Sequence, residues 1–159
     1  KEHLLLSECS ESITPYGVLG HRHTPEIEQL TSEIAGQPIE VQFSPHLVPM
    51  VRGLLSTVYG RLRDPGLTAE DCRTLLDTYY RDDPFIKVLP VGIYPATKWV
   101  RYTNKALLSV QVDKRTGRFI LMCTIDNLIK GQAGQAIQNL NIMSNFEQDK
   151  GLPSSPFYP

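Results

Sequence analysis

The 159 residues predict an α+β domain with a largely antiparallel or mixed sheet. Three observations carry that expectation. Strand-like segments succeed one another with helical segments inserted between them. Ala106 to Val112 and Arg118 to Ile125 read as an antiparallel pair joined by Asp113-Lys114-Arg115-Thr116-Gly117, whose glycine suits the left-handed position of a short hairpin loop. A composition of 41% hydrophobic and 21% charged residues is that of a chain with an ordinary buried core, which excludes disordered, collagenous and low-complexity classes.

The elements follow in order along the chain. Leu4 to Leu6 reads as a short strand, and after the polar stretch Ser7 to Ser12 a turn falls at Thr14-Pro15-Tyr16-Gly17. Thr24-Pro25-Glu26 announces a helix: a threonine N-cap, a proline at the first helical position and an acid in the first turn. Ile27, Leu30, Ile34 and Ala35 recur at helical spacing until Gly36 and Pro38 close the segment. Ile39, Val41 and Phe43 alternate with Glu40, Gln42 and Ser44, the period of a half-buried strand that ends at Pro45. Val51 to Tyr59 reads as another strand, beyond the Pro45-His46-Leu47-Val48-Pro49 corner. After a turn at Asp64-Pro65-Gly66, Thr68-Ala69-Glu70-Asp71 resembles a capping box, and Cys72, Leu75, Leu76 and Tyr79 share the face of a second helix. Phe85 to Leu89 is a short strand and Trp99 to Tyr102 an edge strand. Past the hairpin, Ala136, Ile137, Leu140 and Met143 mark a third helix, and the proline-bearing tail from Asn145 to Pro159 is expected to run extended over the surface. No internal repeat is visible.

Charge and cysteine content narrow the function classes. Sixteen basic against 17 acidic side chains leave a net charge of -1, which supplies no general basic field for nucleic acid. Cys9, Cys72 and Cys123 are odd in number and lack paired spacing, so neither a disulfide framework nor a structural zinc site is expected. A reducing compartment, the cytoplasm, follows. No apolar run approaches the ~20 residues that span a bilayer, so no membrane partner is expected. The chain opens at Lys1-Glu2-His3 without an initiator Met, which reads as a piece cut from a longer polypeptide.

Chemistry-bearing residues fall into clusters. In His21-Arg22-His23-Thr24-Pro25-Glu26 two imidazoles reach a helix N-terminus whose dipole disfavours imidazolium, and on a strand both would point to one side. A neutral histidine there can donate a proton or hydrogen bond to a substrate oxygen; the alternative is a pair of solvent-facing loop histidines. A metal site would need about three protein ligands, and no third comes at a supporting spacing, so no metal is assigned. Arg52, beside Gly53 at a strand start, can aim a planar fork at a carboxylate or phosphate, or simply pair with an acid. Lys130-Gly131-Gln132-Ala133-Gly134-Gln135 reads as a small-residue loop before a helix, open either to a ligand or to tight packing, without the spacing of a Walker or dinucleotide loop. Lys98 to Asn104 mixes aromatic and basic side chains but is too short for a nucleic-acid site.

Three of these stretches occur in a telling order: Pro15-Tyr16-Gly17 leading to Gly20-His21-Arg22-His23-Thr24-Pro25-Glu26-Ile27-Glu28-Gln29, then Pro45 to Gly53, then Asp126-Asn127-Leu128-Ile129-Lys130-Gly131 through Asn141. Together they resemble the N-acetyl-gamma-glutamyl-phosphate reductase family of arginine biosynthesis, in its cyanobacterial and plastid branch, over essentially the whole chain. The resemblance implies a mixed, largely antiparallel sheet with helices on one face, like the C-terminal domain of glyceraldehyde-3-phosphate dehydrogenase-like enzymes. It implies NADPH-dependent reduction of N-acetyl-gamma-glutamyl phosphate to N-acetylglutamate semialdehyde, through a cysteine thioester with release of phosphate. His21 and His23 match the family's histidine motif, with the choice between them open, and Arg52 becomes the candidate for the substrate's carboxylate or phosphate. Asn127, Lys130, Gly131 and Gly134 would border the cofactor, which is bound mainly by a domain outside this chain.

The family's Gly-Cys-Tyr-Pro-Thr nucleophile motif and its glycine-rich nucleotide loop occur nowhere in the 159 residues, and the three cysteines lack the motif's surroundings. The resemblance therefore implies a catalytic and dimerisation domain at 1–126. Residues 127–159 would be a returning helix and tail, packing on the nucleotide-binding domain through Ala133, Ala136, Ile137 and Leu140. Such a piece is expected to be inactive alone and to belong to a homo-oligomer, a dimer or tetramer. Two other readings stand beside it: a non-catalytic dimerisation or interaction module, and a small metal-dependent hydrolase built on His21 and His23.

Overall fold

The computed structural model describes residues 5–155, and its contacts divide the chain into two units, Lys1–Val51 and Arg52–Pro159. In the first unit α1 (Leu6–Cys9) is a single helical turn. It stands where a strand was expected through Leu6; Leu4 lies outside the described residues. β1 (Thr14–Pro15) pairs antiparallel with β2 (His46–Leu47), so the expected turn at Thr14 is instead a bridge. α2 (Thr24–Ala35) begins one residue earlier than its sequence signal implies: His23 is the N-cap and Thr24 already helical, with no side-chain cap. Gly36 ends α2 at φ 66°.

The alternating stretch 39–43 is not a strand. Its amides bond to side chains of α2: the Ile39 N–H donates to Ser32 Oγ at 2.8 Å and the Val41 N–H to Glu28 Oε1 at 2.9 Å. Period two reports an extended backbone, but a strand also needs a neighbouring ladder, and here helix side chains take that place.

The second unit is built on a four-stranded sheet in the order β3-β6-β5-β4, formed by β3 (Leu54–Arg61), β4 (Ile86–Val88), β5 (Ala106–Asp113) and β6 (Arg118–Ile125). β3 and β6, and β6 and β5, pair antiparallel, while β4 runs parallel to β5. This is the mixed, largely antiparallel α+β sheet that the sequence predicts. The β5–β6 hairpin turns at Gly117, whose φ of 65° would strain any residue with a Cβ. Asp113 braces the loop by accepting the Arg115 N–H at 2.9 Å and the Thr116 hydroxyl at 2.8 Å.

α3 (Ala69–Tyr79) starts at a true capping box: the Asp71 N–H donates to Thr68 Oγ1 at 3.2 Å and the Thr68 N–H returns to Asp71 Oδ2 at 2.8 Å. The helix packs on β4 and β5. Its inward line is Cys72, Leu76 and Tyr80, whereas Leu75 and Tyr79 are exposed, so only part of the expected apolar face is covered. Phe85, Val88, Leu89, Val100, Leu107, Leu108 and Val110 form the buried core.

Trp99–Tyr102 is not an edge strand. A 3₁₀ turn at Thr97–Trp99 passes into further turns, and Tyr102 adopts φ 63°. The chain from Ile129 is already helical, as a π turn at Ile129–Ala133 that runs directly into α4 (Gly134–Met143), so the small-residue stretch is no loop. α4 is turned inside out: Gln138 and Asn141 are buried, while Ile137, Leu140 and Met143 are exposed. The reason lies in the tail, where Asn141 Nδ2 donates to the carbonyls of Gln148 and Lys150 at 3.2 and 2.9 Å and Gln138 Nε2 donates to Gln148 Oε1 at 2.9 Å. The tail accordingly folds into turns up to Gly151 instead of running extended from Asn145, while residues 156–159 lie outside the described residues.

Candidate functional site

The C-terminal end of β6 delivers Asp126 into the second unit, where its side chain is wholly buried. The carboxylate ties two segments far away in sequence, at Arg52 and Tyr102, to the turn that directly follows it. Arg52 Nη1 reaches Oδ1 at 3.2 Å and Oδ2 at 3.3 Å, the Tyr102 N–H donates to Oδ2 at 2.7 Å, and the Leu128 and Ile129 N–H groups donate to Oδ1 at 2.9 Å each. Burial by itself would push this acid up. The Tyr102, Ile129 and Leu128 amides, with the Arg52 charge behind them, overcome it and hold the carboxyl below the usual carboxylate range. Arg52 therefore pairs with an acid, one of the two roles its sequence setting allows. Its guanidinium also sits 4.7 Å from the centre of the Tyr102 ring, and its side chain keeps 22% exposure.

Next to it, Asn127 Oδ1 accepts the Gly53 N–H at 2.9 Å, fixing the residue after Arg52 at φ 118°. Lys130 turns inward: its ammonium donates to Gln138 Oε1 at 2.8 Å and lies 5.3 Å from the Phe85 ring centre. Burial lowers its pKa, with Asp83 and Cys123 pulling the other way. Gly131 is exposed, and its N–H donates to the Asp126 carbonyl at 2.9 Å. Gly134 is buried, with its α-carbon closed in by Asn104 Oδ1 and by Ile129. The structure thus brings Arg52, Asn127 and Gly131 around Asp126, and commits Lys130 and Gly134 to contacts beneath α4.

His21 and His23 belong to the first unit and leave a turn, not a strand, but their rings are still adjacent, with centroids 5.0 Å apart. The half-buried His21 ring is also met edge-on by Tyr16 at 5.3 Å and Phe43 at 5.1 Å. The His23 N–H donates to His21 Nδ1 at 3.2 Å. A nitrogen that accepts carries a lone pair, so the neutral His21 ring bears its proton on Nε2. His23, exposed, is the N-cap of α2.

Two of the thiols, Cys72 and Cys123, are poor nucleophiles. Burial, then the Asp71 charge, raises the Cys72 thiol; burial raises Cys123 against the pull of Lys130. Among the described residues no group of three or more His, Cys, Asp or Glu side chains is placed to hold a metal, and no helix is long and apolar enough to cross a membrane. Two residues that carry this arrangement escape sequence reasoning as site residues, Asp126 and Tyr102. The one local signal was an aspartate at a strand end two and three residues ahead of the amides it caps.

Comparison with known proteins gives the following. Residues 1–127 match the family described as "Semialdehyde dehydrogenase, dimerisation domain". The chain is 73% identical over 159 residues to an N-acetyl-gamma-glutamyl-phosphate reductase of Prochlorococcus marinus, and 68% identical over 159 residues to one of a Synechococcus species. In both cases all of this chain is aligned with 44% of the relative, so the chain spans less than half the length of these proteins. The crystal structure of aspartate semialdehyde dehydrogenase II from Vibrio cholerae superposes with a TM-score of 0.62 at 23% identity, over 79% of this chain and 38% of that one. That last likeness concerns the fold alone.

Proposed function

We propose, on the premise that the chain belongs to the semialdehyde dehydrogenase dimerisation-domain family, that it is the catalytic and dimerisation part of an N-acetyl-gamma-glutamyl-phosphate reductase. The reaction is reduction of the acyl phosphate to N-acetylglutamate semialdehyde with release of phosphate, a step of arginine biosynthesis. The observation that carries the reading is the alignment of all 159 residues at 73% identity with 44% of the Prochlorococcus reductase.

Within that reaction each residue has a task its surroundings fit. His21 is the histidine of the pair that acts. Its Nδ1 is engaged by the His23 amide and its ring is held by Tyr16 and Phe43, so Nε2–H is a fixed donor for the oxyanion that forms when a thiolate attacks an acyl phosphate. His23 supplies the amide and starts α2. Arg52 binds an anionic group of the substrate, its carboxylate or phosphate. The attacking thiolate comes from outside these residues: none of Cys9, Cys72 and Cys123 lies in the family's nucleophile motif, and burial raises the Cys72 and Cys123 thiols.

The cofactor, NADPH, supplies the hydride when bound. Its cradle lies mainly outside this chain; here the Asn127 Oδ1 is engaged by Gly53, the Lys130 ammonium by Gln138, and Gly134 is closed in by Asn104. Gly131, exposed on the π turn, is the position of this set open to the cofactor side. The cofactor's binding domain is instead the partner of the exposed Ile137, Leu140 and Met143 face of α4, and the 44% coverage of the relatives leaves room for that domain in the polypeptide. The exposed apolar residues of the edge strand β3, Leu54 and Val58 on one face and Leu55 and Tyr59 on the other, are the surface for self-association in the dimer, and the enzyme works in the cytoplasm or plastid stroma.

The test is mutation in the intact reductase. His21→Ala is expected to lower kcat by about 10²–10⁴-fold, the scale of a lost general acid or base. His23→Ala, which keeps the backbone amide, is expected to stay within about tenfold of wild type on the same scale. Equal losses in both variants would refute the assignment of roles, and full activity in both would refute the histidine site.

A further inference from the structure

We propose that Asp126 is a positioning residue that sets the substrate-binding geometry of Arg52 and registers it against the π turn; this rests on the reading of Arg52 as the substrate's anion contact. An arginine on a half-exposed loop samples many rotamers, and an anion site built on it loses affinity to that freedom. Here the guanidinium is held from two directions. Nη1 lies on the buried Asp126 carboxylate and the Tyr102 ring backs the group at 4.7 Å, while among the described residues Arg52 makes no other hydrogen bond. One edge is anchored, and the rest of the fork is left to a ligand.

The same carboxylate fixes more than Arg52. Through the Leu128 and Ile129 amides it caps the start of the turn that carries Gly131, and the Asp126 carbonyl accepts the Gly131 N–H. Asn127, one residue on, pins Gly53 beside Arg52. Tyr102 donates its N–H to Oδ2 at 2.7 Å with its backbone at φ 63°, an uncommon conformation for a bulky residue. A group with these contacts stiffens the substrate contact and the exposed turn together.

The experiment uses the intact reductase with steady-state kinetics for both substrates, N-acetyl-gamma-glutamyl phosphate and NADPH. Asp126→Asn is nearly isosteric but removes the charge and replaces one acceptor by a donor. It is expected to raise KM for the acyl phosphate about tenfold or more, the scale on which supporting partners of a binding group act, while KM for NADPH moves by no more than about twofold, within which distant effects fall. On an Arg52→Ala background the same change is expected to add nothing further to that KM. If Arg52→Ala raises the acyl-phosphate KM but Asp126→Asn does not, the positioning role is overturned and the Arg52 reading survives. If Arg52→Ala itself leaves KM unchanged, the Arg52 reading fails and the inference with it. Should Asp126→Asn not fold, Asp126→Glu carries the test: it keeps the charge but displaces the carboxylate from Arg52 by a methylene, and an unchanged acyl-phosphate KM overturns the proposal.

Discussion

Replacing Gly134 by alanine separates tight packing from ligand approach in the small-residue stretch before α4. Elsewhere in a helix the change would favour folding by about 1 kcal/mol, because glycine is the poorer helix former. Here the new methyl would fall on Asn104 Oδ1, 2.7 Å from Ile129 Cγ2 and 2.8 Å from the Ile129 carbonyl oxygen. The carbonyl belongs to the π turn and has little room to yield. Forcing extra volume into such a site costs about 1–3 kcal/mol. Displacing Asn104 from Gln138, to which its Nδ2 donates at 3.0 Å, costs roughly a further 1 kcal/mol. The net expectation is destabilisation by about 1–3 kcal/mol, a fall in Tm of roughly 3–10 °C at this chain length. Gly131→Ala is the control, since its methyl would rest 3.4 Å from Ile125 Cδ1 and 3.5 Å from the Asp126 carbonyl, ordinary contact distances. It is expected to be as stable as wild type or more stable by up to about 1 kcal/mol, the helix preference of alanine over glycine. Urea unfolding followed by circular dichroism measures both. A Gly134→Ala chain as stable as wild type, or equal losses in the two variants, would refute the packing argument.

Two further outcomes follow from the same contacts. Because the folded Asp126 carboxyl lies below its ordinary value of 3.8, its contribution to stability is complete above that value and is lost as the pH falls through 3.8 towards the folded pKa. Urea midpoints between pH 6 and pH 3 are expected to fall more steeply for wild type than for Asp126→Asn, and parallel curves would show that the carboxylate is not selectively held. Leu140, 60% exposed on α4, is expected to tolerate serine in the isolated chain within about 0.5 kcal/mol, while the same change weakens the intact reductase against heat; a large loss in the isolated chain would place Leu140 in its own core instead.

How much of this was legible in the sequence depends on the range of the interactions involved. The β5–β6 hairpin, the capped start of α3 and the glycine stop of α2 rest on contacts a few residues apart, and each stands where its signal lies. The stretch 39–43 misleads because its amide partners are Ser32 and Glu28 on α2, which alternation cannot reveal. Trp99–Tyr102 misleads for a related reason: its aromatic, β-branched composition fits a strand, but the Tyr102 amide is claimed by Asp126, 24 residues away. The apolar face of α4 was readable from Ile137 and Leu140, whereas its buried side, Gln138 and Asn141, follows from the folded tail. In the candidate site, the histidine pair and Arg52 stand out by residue type. Asp126 does not, because its role arises from Arg52, 74 residues earlier.

The measurement that bears most directly on the proposed function is the location of the acyl group. The intact reductase is mixed with N-acetyl-gamma-glutamyl phosphate in the absence of NADPH, quenched in acid, digested and mapped by mass spectrometry. The expected result is a thioester on a cysteine outside these 159 residues, with stoichiometric phosphate release and with acylation slowed in His21→Ala. An acyl group on Cys9, Cys72 or Cys123, or phosphate release with no acylated cysteine, would contradict the account.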